Sequence, residues 1–140
     1  MKPLAALAFF LLAAAPPPGT IQIDRRTLVW NQGPATMSQG TEVAVLEGDP
    51  KAKGPFTIRL RIPAGTRIAP HWHPRPERVT VLSGEVFVGF GDTWDDASVR
   101  AFHAGDFYIN PANSHHYVAF PQASVIQITG EGPWELHPLH

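Results

Sequence analysis

The chain has 140 residues, 44% of them hydrophobic, enough apolar material for one domain with a packed core and too little length for two of ordinary size. Lys+Arg 11 nearly balances Asp+Glu 12 and no basic stripe is visible, so neither a nucleic acid nor an anionic membrane surface is an expected partner. With Cys 0, the fold has no disulfide framework and no cysteine-linked lipid, and must be held by its core and, we expect, by a metal.

In chain order, the opening MKPLAALAFFLLAAAPPPGT places Lys2 ahead of an apolar run and a proline cluster, the pattern of a secretory signal. The run over residues 4–15 falls short of the roughly 20 residues that span a bilayer, so no stable membrane anchor is expected. Residues 1–19 are predicted to be a cleaved signal, cut between Ala15 and Thr20, on an exported protein of the periplasm or extracellular space. Residues 20–140 then form a single domain.

Beyond the signal no window keeps an i, i+3, i+4 apolar stripe, whereas short alternating runs recur: FTIRLRI (56–62), RVTVL (78–82), EVFVGF (85–90), HYVAF (116–120) and SVIQIT (124–129). These read as strands. Gly- and Pro-bearing turns separate them, at residues 63–65, 83–84, 104–106 and 111–113. Many short strands with such connections predict an all-β antiparallel sandwich or barrel.

The stretch GTRIAPHWHPRPERVTVLSG (65–84) carries the chemistry. His71 and His73 are two apart, so on a strand they share a face, with Cα atoms about 6.5–7 Å apart, a span that two imidazoles can close on one ion. Trp72 points the other way. Pro74 and Pro76 mark a bend that lets Glu77 return toward the same point. From Glu77 the alternation runs through Val79 and Val81, keeping the carboxylate on the inward row, and Gly84 is expected to supply the positive φ of a tight hairpin turn.

A further ligand is expected from GDFYINPANSHHYVAF (105–120), where His116 heads the row of Val118 and Phe120 while His115 sits in the turn. Three neutral imidazoles and a carboxylate suit one divalent transition metal, Mn, Fe, Ni, Cu or Zn, and suit calcium poorly. The inward rows are apolar, with Tyr108 and Gln127 as the polar candidates; Tyr108, Phe120 and Gln127 are the predicted substrate-pocket residues for a small-molecule substrate or ligand. No separate acid or base is evident. His103, His137 and His140 read as exposed, the last two in a tail, WELHPLH, expected to be disordered. The acidic GDTWDDAS (91–98) reads as a solvated connection, and Arg59 and Arg61 as facing water or a partner subunit.

At these residues the chain resembles the cupins. Their first motif, glycine, five residues, His-x-His, three or four residues, Glu, six residues, Gly, is met by Gly65, His71, His73, Glu77 and Gly84. Their second, glycine, five residues, Pro-x-Gly-x-x-His and a later asparagine, is met by Gly105, Pro111 and His116. Asn113 stands at the motif glycine and Phe120 at the asparagine; asparagine tolerates the left-handed region best after glycine, so the turn is expected to survive. The resemblance implies a double-stranded β-helix, or jelly-roll barrel, in two sheets. It also implies one metal held inside by His71, His73, Glu77 and His116, and frequent homodimerisation. It leaves the reaction open among a metal-dependent dioxygenase-type oxidoreductase, a non-catalytic metal or small-molecule binding module, and an isomerase or lyase.

Overall fold

The computed structural model describes residues 14–139. Residues 1–13, the greater part of the expected export signal, lie outside the described residues, as does His140. Among the described residues no helix is long and apolar enough to cross a membrane; a 3-10 turn, Arg25–Thr27, is capped by the Asp24 carboxylate, which accepts from the Arg26 N–H.

The strands are β1 (Asn31–Gln32), β2 (Glu42–Glu47), β3 (Gly54–Ile62), β4 (Thr66–Trp72), β5 (Glu77–Ser83), β6 (Glu85–Phe90), β7 (Arg100–His103), β8 (Phe107–Asn110), β9 (His116–Phe120), β10 (Ser124–Gly132) and β11 (His137–Pro138). They pair antiparallel in two sheets, ordered β1-β2-β3-β10-β5-β8 and β11-β4-β9-β6-β7. From β3 onward the chain changes sheet at every connection except β6 to β7, which winds the two sheets together as the double-stranded β-helix predicted from sequence.

Alternation drives this closure. In β3 the side chains of Phe56, Ile58, Leu60 and Ile62 are each no more than 1% exposed. Arg59 and Arg61 take the outer face, Arg59 donating to Gln127 at 3.1 Å and Arg61 to Glu42 at 2.9 Å. Val79 and Val81 of β5, Val86 and Val88 of β6, Val118 and Phe120 of β9, and Ile126 and Ile128 of β10 complete the core. Each such side chain contributes about 1.5–3 kcal/mol by leaving water, and the barrel interior is the one place where all these rows meet.

Two sequence expectations need correction. Gly84 has φ 81, but β5 and β6 lie in different sheets, so this residue turns a corner between sheets and closes no hairpin. A Cβ there would stand 2.3 Å from Ser124 Oγ and 2.6 Å from the Ala123 carbonyl. Gly84→Ala is therefore expected to cost about 3 kcal/mol, from left-handed strain plus the backbone clash, measurable as a lower denaturant midpoint; a loss under about 0.5 kcal/mol would contradict the corner's role. The second correction is the C-terminal tail. It is ordered: β11 pairs with β4, His137 opposite Trp72, and the two rings stack at 4.3 Å. Trp134 and Leu136 alternate with Glu135 and His137, so the tail obeys the same period-2 logic as the strands.

Candidate metal centre

A register shift in β4 between Ile68 and His71 turns His71 inward near the strand's end, His73 follows it by two, Glu77 opens β5 and His116 opens β9. The β4–β9 ladder sets His71 opposite His116. All four residues are buried, at 3%, 3%, 5% and 1% exposure respectively. The ring centroids of His71 lie 5.0 Å from His73 and 4.2 Å from His116, and His73 lies 5.2 Å from His116. One nitrogen from each imidazole falls within 4.8 Å of the other two, so the three can hold a metal ion.

Hydrogen bonding decides which nitrogens those are. His71 Nδ1 lies 2.8 Å from the Ala69 carbonyl, His73 Nδ1 2.6 Å from the Glu135 carbonyl, and His116 Nδ1 3.0 Å from the Ser114 carbonyl. A carbonyl only accepts, so each Nδ1 must carry the proton and donate it, leaving each Nε2 as a bare lone pair. Such Nδ1–H contacts to backbone oxygen are the usual outer support of metal-binding histidine. Among the described residues His116 Nε2 is fully buried with no hydrogen-bond partner, an orphaned acceptor of the kind that native interiors rarely keep without an ion or water. Burial, the largest influence, pulls the pKa of all three histidines down to about 4. They are neutral near pH 7, the form that binds metals.

Glu77 stands beside this trio. Its Oε2 accepts from Asn110 Nδ2 at 3.1 Å, and its Oε1 accepts from Trp134 Nε1. Oε2 also lies 3.2 Å from His73 Nε2. Two acceptors at that distance in a buried site require a proton or a cation between them. Burial pushes the Glu77 carboxyl upward, opposed by the Trp134 and Asn110 donors and by His116. The imidazoles and the carboxylate are thus a donor set of mixed nitrogen and oxygen that fits a divalent transition metal.

The cluster sits in a small cavity of about 30 Å³ with otherwise largely apolar walls, among them Met37, Ile68, Val118, Phe120 and Leu136. Tyr108 and Phe120 line it as expected from sequence. Gln127 does not, which corrects its assignment to the pocket. Ile126 and Ile128 take the inward phase of β10 at 4% and 3% exposure, so Gln127 must face outward, where it accepts from Arg59. The Tyr108 phenol is pushed further up by burial and by Glu77, so near neutrality it is a hydrogen donor and not a base.

Sequence reasoning overlooked Asn110, Trp134 and the Glu135 carbonyl. The alternation of Trp134 and Leu136 in the tail was the available signal. Asn113 has φ 60 and its N–H donates to the His73 carbonyl at 2.8 Å, so this left-handed turn steadies a candidate ligand. His115 points away, to Asp92 at 2.6 Å, and His103 lies at the surface against Glu85 at 3.1 Å. In the acidic 91–98 loop, Asp95 accepts from Ser98 and Ala97, and Asp96 from Trp94 and Arg67, so protein donors occupy those carboxylates.

A model of the ChrR Cupin-like domain matches residues 19–135. Germin-like protein 3-1 of Oryza sativa subsp. japonica is 35% identical over 68 residues, covering 48% of this chain and 30% of that protein; the match thus spans under a third of that relative's length. Among solved structures, the polyketide cyclase RemF from Streptomyces resistomycificus superposes with TM-score 0.71 at 13% identity, over 86% of each chain. A putative acetylacetone dioxygenase from Methylibium petroleiphilum superposes with TM-score 0.67 at 21% identity, over 91% of this chain and 86% of that one. An acetylacetone dioxygenase from Acinetobacter johnsonii gives 0.63 at 17% identity, over 91% and 83%. At these identities the structural likeness is one of fold.

Proposed function

The chain belongs to the ChrR Cupin-like domain family, and on that premise we propose that it is an exported metalloprotein. It binds one divalent transition metal through His71, His73, Glu77 and His116, and carries out a dioxygenase-type oxidation of a small organic substrate. The observation that carries this reading is the convergence of three buried imidazoles whose Nδ1 protons are all committed to backbone carbonyls, which leaves their Nε2 lone pairs for an ion. When bound, the ion supplies Lewis acidity and, if redox-active, electrons for dioxygen.

The protein's own residues do the remainder. The apolar walls exclude water around the reacting groups, and Tyr108 offers a hydrogen bond to an oxygen of the substrate. None of the residues lining the cavity is lysine or arginine, which favours neutral substrates over carboxylates or phosphates. An isomerase or lyase needs a residue that removes a substrate proton. The titratable lining consists of the four proposed ligands and Tyr108, and Tyr108 keeps its proton, so that class is the least supported. The same lack of a free base supports, as a second reading, a module that binds a metal or small molecule without catalysis.

Oxygen uptake separates the two. Protein loaded singly with Fe, Mn, Ni, Cu or Zn is expected to consume dioxygen in a substrate-dependent way with a redox-active metal and not with Zn, across a panel of small neutral organic compounds. Stoichiometric metal without uptake under any load would leave the binding module. Export is supported by the Lys2, apolar-run and proline pattern of residues 1–19; natively expressed protein is expected to begin between Pro16 and Ile21 by intact-mass spectrometry. Retention of Met1 on a cytoplasmic product would contradict it.

A further inference from the structure

The C-terminal strap reaches two of the four candidate ligands from behind. Trp134 Nε1 donates to Glu77 Oε1, and the carbonyl of the adjacent Glu135 accepts from His73 Nδ1 at 2.6 Å. The strap is itself tied down on both sides of these contacts: the Trp134 N–H donates to the Pro50 carbonyl at 2.6 Å, and the Leu139 N–H to the Pro70 carbonyl at 3.0 Å. The Trp134 ring lies parallel to that of His73, 6.2 Å away at 12°, and packs on Phe56 at 6.4 Å. On the opposite side of the carboxylate, Asn110 of β8 is 2% exposed and gives its Nδ2 to Glu77 Oε2 at 3.1 Å. β8 pairs with β5 so that Asn110 stands directly across from Glu77. Among the described residues the side-chain amide has no further partner, and Asn110 Oδ1 is buried and unbonded.

From this arrangement we propose that Trp134 and Asn110 are positioning residues for the metal centre. Each donates to one Glu77 oxygen, and together they lock the carboxylate in the orientation that presents it beside His73 Nε2. This role rests on the four-ligand reading of the site. A glutamate side chain with free χ angles would have to be ordered when the ion binds, and ordering a flexible side chain opposes binding. Two donors placed on two different elements remove that freedom beforehand. A donor on each oxygen still leaves one lone pair on each for an ion. Outer contacts of this kind are generally worth about 10–100-fold in metal affinity. Trp134→Phe deletes the N–H while keeping an aromatic ring against Phe56 and His73. Asn110→Leu deletes the amide at similar volume, and the removal of an unbonded buried oxygen offsets in part the loss of the donor to Glu77 Oε2 in the metal-free fold.

Co(II) is the probe, since its visible absorption reports ligand arrangement as well as occupancy. Wild-type protein is expected to bind one Co(II) per chain. Trp134→Phe and Asn110→Leu are each expected to bind it about 10–100-fold more weakly with an altered visible spectrum, while the metal-free melting midpoints stay within a few degrees of wild type. A merely structural role would instead lower the metal-free midpoint and leave the spectrum of the loaded protein unchanged, which would overturn the proposal. So would variants equal to wild type in both affinity and spectrum, with the metal-binding reading left standing. Failure of the wild type to bind Co(II) would overturn that reading together with this one.

Discussion

Replacing His73 by alanine is expected to reduce metal occupancy from one ion per chain to a small fraction, at metal concentrations that just saturate the wild type. His115→Ala is expected to leave occupancy unchanged. The two histidines differ in environment more than in sequence context. His73 is buried, its Nδ1 proton is committed to the Glu135 carbonyl and its Nε2 lies 3.2 Å from Glu77 Oε2. His115 is only half-buried and spends its Nδ1 on Asp92 at 2.6 Å. Structural zinc sites bind with about 10–16 kcal/mol spread over four ligands, so losing one ligand costs on the order of 3 kcal/mol, or roughly 100-fold. Elemental analysis after equilibration and desalting reads the difference. Equal occupancy in wild type and His73→Ala would remove the proposed site.

Removing the metal is expected to lower the melting midpoint by about 10 °C at pH 7.5. A site saturated a hundredfold over its Kd stabilises the folded state by about 2.7 kcal/mol, and in a domain of this size each kcal/mol moves the midpoint by several degrees. Acid acts on the metal-free fold through the same residues, and the sign follows from the direction of each shift. The three histidines have pKa values of about 4 when folded, against about 6.5 when unfolded. Between those values the unfolded chain binds more protons, so stability falls as pH drops from about 6.5 toward 4. Glu77 is shifted the other way; it favours the folded state as pH falls, one group against three. In the loaded protein the ion must also displace any proton shared by Glu77 and His73, so affinity declines toward acid. Melting curves with and without chelator should therefore differ strongly at pH 7.5 and less at pH 5. A chelator that strips the ion without moving the midpoint at pH 7.5 would show that the ion adds nothing to stability.

Period 2 made much of this molecule readable in advance. Runs such as FTIRLRI alternate cleanly, so burying one face leaves a single choice of phase, and the inward placement of Glu77 with Val79 and Val81, and of His116 with Val118 and Phe120, follows from the same parity; His71 faces inward only because a register shift in β4 separates it from Ile68, which also lines the cavity. What alternation does not specify is which strands become neighbours. Gly84 announces a sharp turn in any case, yet whether the chain folds back or crosses to the other sheet depends on pairing partners distant in sequence. Gln127 was misplaced because its polarity, attractive for a pocket, was weighed above the phase of Ile126 and Ile128, whose burial contributes more than one amide can. The short strands β7 and β8 offer four residues apiece, too few to establish a period, which hid Asn110. Trp134 was hidden by its place in a charged and histidine-bearing tail, where only its tertiary contact with Glu77 reveals a role.

The most direct test is a crystal structure of metal-loaded protein with diffraction collected at the absorption edge of the bound element. One anomalous peak is expected per chain, within coordination distance of Nε2 of His71, His73 and His116 and of a Glu77 carboxylate oxygen. A stoichiometrically loaded crystal whose peak lies elsewhere, or that shows no ordered peak among the three imidazoles, would contradict the account.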